Sequence, residues 1–210
     1  MDDSTAIPDD SYRDRLGRVV SDSADPWLKR WSSLLVSARG GSLLELGCGA
    51  GRDTLYLTGL GLKVTAGDYS QEARDLCRRA APLADIRLID LRGPLPFSDG
   101  SFPVVLASLC LHFFPWSMTV SIMAEIRRCL SPGGLLLLRV NSFRDIHHGN
   151  EVLREIEPGL YQMNGQLKRF FDHDALERLL GTGWHILGFE ELKVERYGAS
   201  KFLWEAVLEK

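Results

Sequence analysis

The sequence predicts an α/β protein with a doubly wound, mostly parallel sheet and helices on both faces, and three observations carry that expectation. Strand-like and helix-like stretches alternate from residue 43 to residue 140, the order that builds βαβ units. Leu135-Leu136-Leu137-Leu138-Arg139-Val140 is apolar without alternation, as a strand covered on both faces requires. Leu43-Leu44-Glu45-Leu46 runs into Gly47-Cys48-Gly49-Ala50-Gly51 and leaves as a helical pattern, so a glycine turn sits at a strand tip, where such sheets bind ligands.

With 210 residues and 45% hydrophobic content, the chain is expected to form one domain with a sizeable core. The net charge of −3 is spread along it and leaves no broad basic face for nucleic acid. Three basic clusters, Arg13-Arg15-Arg18, Arg74-Arg78-Arg79 and Arg127-Arg128, read as solvated helix faces. Cys48, Cys77, Cys110 and Cys129 contain no C-x-x-C pair, which disfavours zinc or a disulfide framework and suits a reducing cytoplasm. Met1-Asp2-Asp3-Ser4 is acidic, unlike a signal peptide, and no apolar run reaches the ~20 residues of a membrane span. The expected location is cytoplasmic, with neither nucleic acid nor membrane as partner.

The elements follow in order. Residues 1–10 are expected to be disordered and residues 11–40 to form a helical cap. Asp25 suits an N-cap and Pro26 a first helical position, and Trp27, Trp31, Leu34 and Leu35 then recur at helical spacing. After the glycine turn a helix runs to Leu60, ended by Gly61. A second strand over residues 62–68 ends in Asp68, with Ser70 as the next N-cap, and a third over residues 86–89 leads to Asp90. Pro103 precedes the fourth strand, residues 104–108, and is expected to disturb only its start. A helix over residues 117–130 stops at Ser131-Pro132-Gly133-Gly134, before the fifth strand. Residues 141–171 read as a long polar insertion, a loop of the length that serves as a lid or binding loop. A helix begins near Asp172, and residues 184–194 and 201–208 are close enough to form a hairpin.

The glycine spacing selects the ligand. A dinucleotide turn wants G-x-G-x-x-G, but Arg52 occupies the third glycine position. The pattern is instead Glu45-x-Gly47-x-Gly49-x-Gly51, and a carboxylate there would repel pyrophosphate but suits an ammonium or sulfonium group. Asp68, about 20 residues past the first glycine, is placed to accept ribose hydroxyls.

On these residues the chain resembles the class I S-adenosylmethionine-dependent methyltransferases, and Gly51-Arg52-Asp53-Thr54-Leu55-Tyr56-Leu57 is similar to the small-molecule branch with the tellurite-resistance and thiopurine-type enzymes. The resemblance implies a Rossmann-like sheet of seven strands in the order 3-2-1-4-5-7-6, strand 7 antiparallel, and an N-terminal helical lid in which Tyr12 and Trp27 cover the cofactor. The other reading of Trp27 and Trp31 is packing. S-adenosylmethionine is the implied cofactor and S-adenosylhomocysteine its product. Glu45, Gly47, Cys48, Gly49, Gly51 and Arg52 would form the donor loop, Asp68 would hold the ribose, Asp90 and Leu91 the adenine, and Tyr69 would belong to the same cofactor site. Ser108 and Leu109 then lead into a floor under the donor, residues 109–114. Pro103 stands where the family usually has Asp. The Asn/Asp-Pro-Pro-aromatic tetrad of many nucleic-acid and protein amide methyltransferases is missing.

The implied reaction moves a methyl group to an O, N or S atom of a small molecule, with a biosynthetic acceptor ahead of a tellurite- or thiol-detoxifying role. The catalytic candidates are His112, His148 and Asn141. His112 reads equally well as a core histidine. Asp145, His147 and His148 could suggest a metal, but adjacent histidines converge only in a bent loop, so no metal is expected. Lys168 and Arg169 read as surface residues or as a grip on an acidic substrate group. The chain would act as a monomer or homodimer. The alternatives are a cofactor-binding regulatory subunit without turnover and, behind it, a nicotinamide-dependent oxidoreductase.

Overall fold

The computed structural model describes residues 27–37, 42–146, 154–163, 165–196 and 199–210. The expectations for residues 1–10, for Tyr12, Asp25 and Pro26, and for His147 and His148 lie outside the described residues.

Two short helices, α1 (Trp27–Arg30) and α2 (Ser32–Ser37), precede β1 (Ser42–Leu46). Then come α3 (Arg52–Gly59), β2 (Lys63–Asp68), α4 (Gln71–Ala80), β3 (Asp85–Leu88), β4 (Phe102–Ser108), α5 (Trp116–Cys129) and β5 (Leu130–Asn141), with β3 joined to β4 by a loop and not a helix. The seven strands of the main sheet lie in the order β3-β2-β1-β4-β5-β10-β9, where β9 (His185–Arg196) and β10 (Ala199–Glu209) form an antiparallel hairpin. β10 runs antiparallel to β5 and the first five strands are parallel. This is the order 3-2-1-4-5-7-6 expected from the sequence. The register slips between Phe102 and Val104, so Pro103 marks an irregularity confined to the start of β4.

Period-two alternation explains the unbroken apolar runs. Leu44, Leu46, Val105, Ala107, Leu136 and Leu138 face one way, onto Ile122, Met123 and Ile126 of α5. Leu43, Val104, Leu106, Leu135 and Leu137 face the other, onto Leu57 of α3, Cys77 of α4 and Trp27, Leu28 and Leu35. Each such Leu or Val contributes about 1.5–3 kcal/mol on burial.

Capping follows local chemistry. The Ser70 hydroxyl accepts the N–H of Ala73 at the start of α4, and Asp172 caps α6 (His173–Leu180) through the N–H of Ala175 at 2.7 Å.

Two expectations change, and the packing reading of Trp27 holds. The insertion contains an antiparallel three-stranded sheet, β6 (Arg154–Glu157), β7 (Leu160–Met163) and β8 (Gln166–Arg169). Arg74 does not sit on a solvated face: it is buried and donates to the carbonyls of Asp68 and Tyr69, at 2.9 and 2.8 Å. Trp27 packs in the core, where the guanidinium of Arg139 lies 4.7 Å from its ring centroid. Arg139 in turn pairs with Glu205 on the neighbouring strand, 3.2 Å away, and Arg30 also reaches Glu205. Arg30 and Trp27 of α1 thus meet the buried Arg139–Glu205 pair of β5 and β10, and the tryptophan covers its cation.

Candidate active site

The turn after β1 is built on backbone that side chains would obstruct. Gly47, Gly49 and Gly51 have φ of 70°, 51° and 83°, a region that favours glycine. At Gly47 space is short as well, since a Cβ would lie 2.4 Å from the Cβ of Cys110. The N–H groups of Gly47 and Cys48 both donate to the carbonyl of Gly67, at 2.8 and 3.0 Å, which ties the turn to β2.

Asp68 ends β2 and is buried. Its carboxylate accepts the N–H of Gly49 at 3.0 Å and that of Ser70 at 2.9 Å. Burial pushes its pKa up, against the lowering by these N–H groups and by Arg74.

A crevice of about 510 Å³, its open mouth included, lies at these strand ends. Gly47 lines it from the turn after β1, and Asp68 and Tyr69 from the end of β2. Ile89, Asp90, Leu91 and Arg92 line it after β3, and Cys110, Phe113 and Phe114 after β4.

Arg92 is the wall residue that the motif reading missed, and its signal was an acid two residues earlier. Its Nε lies 2.9 and 3.1 Å from the two Asp90 oxygens, and its Nη2 lies 2.8 Å from Oδ2. The guanidinium also covers the Tyr69 ring at 4.4 Å. Hydrogen bonds from Arg92 hold the Asp90 carboxyl below its usual range. Asp90 is therefore on the wall as expected, but already carries a cationic partner.

Glu45 is not among the crevice-lining residues. On β1 it shares a face with Leu43, the face that α3 covers, so its carboxylate accepts the Thr54 hydroxyl at 2.7 Å. Burial, then the charge of Asp53, raise its pKa well above the ordinary value. Its carboxylate is thus held by Thr54 beneath the turn. Cys48, Gly49, Gly51 and Arg52 belong to the turn without lining the crevice. Ser108 and Leu109 also lie off the wall; Leu109 has a φ of 55° and donates its N–H to the Arg139 carbonyl at 2.9 Å. Trp27 lies off it too, held in the core by the Arg139 contact.

His112 sits in a single 3₁₀ turn, Leu111–Phe113, beside the wall residue Phe113. It is buried, with its ring centroid 3.9 Å from that of Phe113. Asn141 ends β5. Its amide nitrogen is buried and has no hydrogen-bond partner among the described residues.

The insertion is pinned to the loop after β4. Arg169 is 2% exposed, which corrects the surface reading. Its guanidinium donates to the carbonyls of Phe114 and Pro158, both at 3.1 Å, and pairs with Glu157. Glu157 accepts the N–H of Trp116. Lys168 and Lys201 both face Asp145, at 3.8 and 3.4 Å. Asp145 is buried, so its charge is met by lysines.

Among the described residues no helix is long and apolar enough to cross a membrane. Residues 44–138 match the family described as a methyltransferase domain. The chain is similar to an uncharacterized methyltransferase of Synechocystis sp., 34% identical over 104 residues, which make up 50% of this chain and 49% of that protein. It is also similar to the demethylmenaquinone methyltransferase of Tropheryma whipplei, 32% identical over 130 residues, 60% of this chain and 52% of the other. The chain spans about half the length of these relatives. It shares its fold with the crystal structure of Burkholderia thailandensis 1,6-didemethyltoxoflavin-N1-methyltransferase with bound 1,6-didemethyltoxoflavin and S-adenosylhomocysteine. There the TM-score is 0.69 at 23% identity, over 96% of this chain and 84% of that one. The stretch that supplies the glycine turn, Asp68 and every wall residue of the crevice lies within residues 44–138, the part of the chain that matches the methyltransferase domain.

Proposed function

We propose that the chain is an S-adenosylmethionine-dependent methyltransferase that moves a methyl group to an O, N or S atom of a small molecule. The observation that carries this reading is the turn after β1, where three glycines at positive φ lie beside a buried strand-end carboxylate, Asp68. The turn fits such a donor on its own geometry. A Cβ added at Gly49 would meet nothing within 4 Å, so a ligand can approach the main chain there.

The backbone around Gly47 and Gly49 would hold the amino-acid end of the donor. Asp68 spends two acceptor sites on Gly49 and Ser70, and an ionised carboxylate has about four, which leaves capacity for ribose hydroxyls. Tyr69, Asp90 and Leu91 would hold the base. When bound, the donor supplies a methyl carbon activated by its sulfonium.

The chain's own task is then to orient the two reactants and exclude water, and orientation alone is worth roughly 7–11 kcal/mol. Cys110, Phe113 and Phe114 give the crevice an apolar side that keeps water out. His112 takes the proton from a hydroxyl or ammonium acceptor, and the Asn141 amide donates to a polar atom of the acceptor. A soft anionic acceptor needs no base. The acceptor approaches from residues 141–171, which meet the Phe114 loop through Arg169. The 1,6-didemethyltoxoflavin named for one structure of similar fold supports a small-molecule acceptor.

Calorimetric titration tests the reading. S-adenosylhomocysteine is expected to bind and NADH to give no heat; the reverse result removes the proposal. Labelled donor offered with a panel of thiols, phenols and amines then separates an enzyme from a subunit that binds without turnover.

A further inference from the structure

The loop after β3 closes on itself around Asp90. The Asp90 Oδ1 accepts the backbone N–H of Arg92 at 2.9 Å, and the guanidinium of the same residue reaches both carboxylate oxygens through Nε and Nη2, at distances from 2.8 to 3.1 Å. An ionised carboxylate has about four acceptor sites, and Arg92 alone takes that many contacts. The guanidinium also lies 4.4 Å from the centre of the Tyr69 ring, on the loop after β2. A stacked nucleobase would need that same space, with its centre about 4.5 Å or more from the ring centre. Tyr69, Asp90 and Arg92 all line the crevice. One cation therefore occupies both things that this stretch of wall offers a base, an aromatic face and an acceptor for an amino group.

The hold is a light one. The side chains of Arg92 and Asp90 are 26% and 40% exposed, and Tyr69 is 46% exposed. Ion pairs and cation–π contacts so open to water contribute little. The guanidinium can turn away about its own side-chain bonds while the loop stays in place.

We propose that Arg92 competes from within for the base subsite, its guanidinium holding Asp90 and Tyr69 until the adenine of the methyl donor displaces it. The proposal rests on the reading of this crevice as the donor site. The exchange is like for like: the amino group of adenine replaces the cation on Asp90, the purine replaces it on Tyr69, and the guanidinium passes into water. Donor and product then bind less tightly than the bare wall would allow, because apparent affinity falls with the fraction of molecules in which the subsite is open. Looser binding of the product favours its release, a step that limits turnover in many enzymes.

The test titrates S-adenosylhomocysteine into the wild type and Arg92→Ala by calorimetry. The variant is expected to bind about fivefold tighter. Arg92→Lys keeps the charge without the planar fork and should fall between the two. Methylthioadenosine, which has the base and ribose but no amino-acid end, should show the same fold gain. Raising the salt from about 0.1 M to about 1 M screens the Arg92–Asp90 pair and should tighten wild-type binding by about twofold, with no such gain in Arg92→Ala. Asp90→Ala added to Arg92→Ala should return most of the gain, as an effect exerted through Asp90 requires.

A variant that merely loosened the fold would bind more weakly, so the sign of the change separates competition from a structural role. If Arg92→Ala fails to fold, Arg92→Lys and the wild-type salt series decide. Equal or weaker binding by the variants, a gain missing with methylthioadenosine, or wild-type affinity that falls with salt would each overturn the proposal. Where wild type and variant both fail to bind S-adenosylhomocysteine, the donor reading falls and the competition with it; where both bind and the variant is no tighter, the competition alone falls.

Discussion

Asp68 and Gly49 hold each other across the tips of β2 and β1: the carboxylate accepts the glycine N–H at 3.0 Å. The acid that would grip a nucleoside is also the acid that shapes the turn. Asp68→Ala is expected to weaken S-adenosylhomocysteine binding by roughly 1.5–3 kcal/mol, the scale of hydrogen bonds to a charged group. Asp68→Asn keeps one oxygen acceptor and should fall between the two. Calorimetry on the three proteins checks the order, and equal affinities would remove Asp68 from the site.

His112 gives a prediction on turnover alone. His112→Ala should lower kcat on an accepted hydroxyl or amine substrate by about a hundredfold, within the range for a positioned base, and leave donor affinity unchanged. Turnover equal to the wild type would leave the histidine with only its packing against Phe113.

Glu45 predicts how stability depends on pH. Burial and Asp53 raise its pKa in the folded protein well above 4.5, so above pH 4.5 the native state keeps a proton that the unfolded chain has lost. Stability then falls as pH rises through that window, because the unfolded state binds fewer protons. Asp68, raised from 3.8 by burial, acts in the same direction. Urea midpoints should therefore drop as the pH rises above the ordinary carboxylate range in the wild type, and drop less in Glu45→Gln. Identical slopes would contradict the assignment.

Arg169 should matter for stability before it matters for substrate. Removing it leaves Glu157 and the Phe114 and Pro158 carbonyls without their donor. The expected cost for Arg169→Ala is about 2–4 kcal/mol, below the full buried-pair figure because Glu157 is one-third exposed. Arg169→Lys restores the charge without the planar fork and should recover only part of it. Urea denaturation measures both, and a loss under about 0.5 kcal/mol would show that the contact contributes little.

The parts of this molecule that were legible in the sequence are those fixed by neighbours in the chain. The glycine turn, the Ser70 and Asp172 caps and the apolar strands are set by short-range steric and hydrogen-bonding rules, and each stands where its residues indicate. The three strands of the insertion were missed because each has only four residues, too few for alternation to declare itself. The turn dipeptides Pro158-Gly159 and Asn164-Gly165 were the available signal. Arg169 could not be read this way, since its partner Phe114 lies 55 residues distant. That Glu45 accepts the Thr54 hydroxyl could not be read either, because motif spacing identifies a residue type without saying which face of the strand it occupies.

β10 lies within the main sheet, between β5 and β9, with Leu203 to Glu209 paired along Asn141 to Leu135. While the ribosome is still making the residues between them, the leucine-rich border of β5 stays bare of its permanent neighbour. Such a border invites pairing with foreign strands. The newborn chain therefore passes through a period of exposure that ends only when residues 199–209 emerge, and shielding by chaperones would be most valuable during that interval.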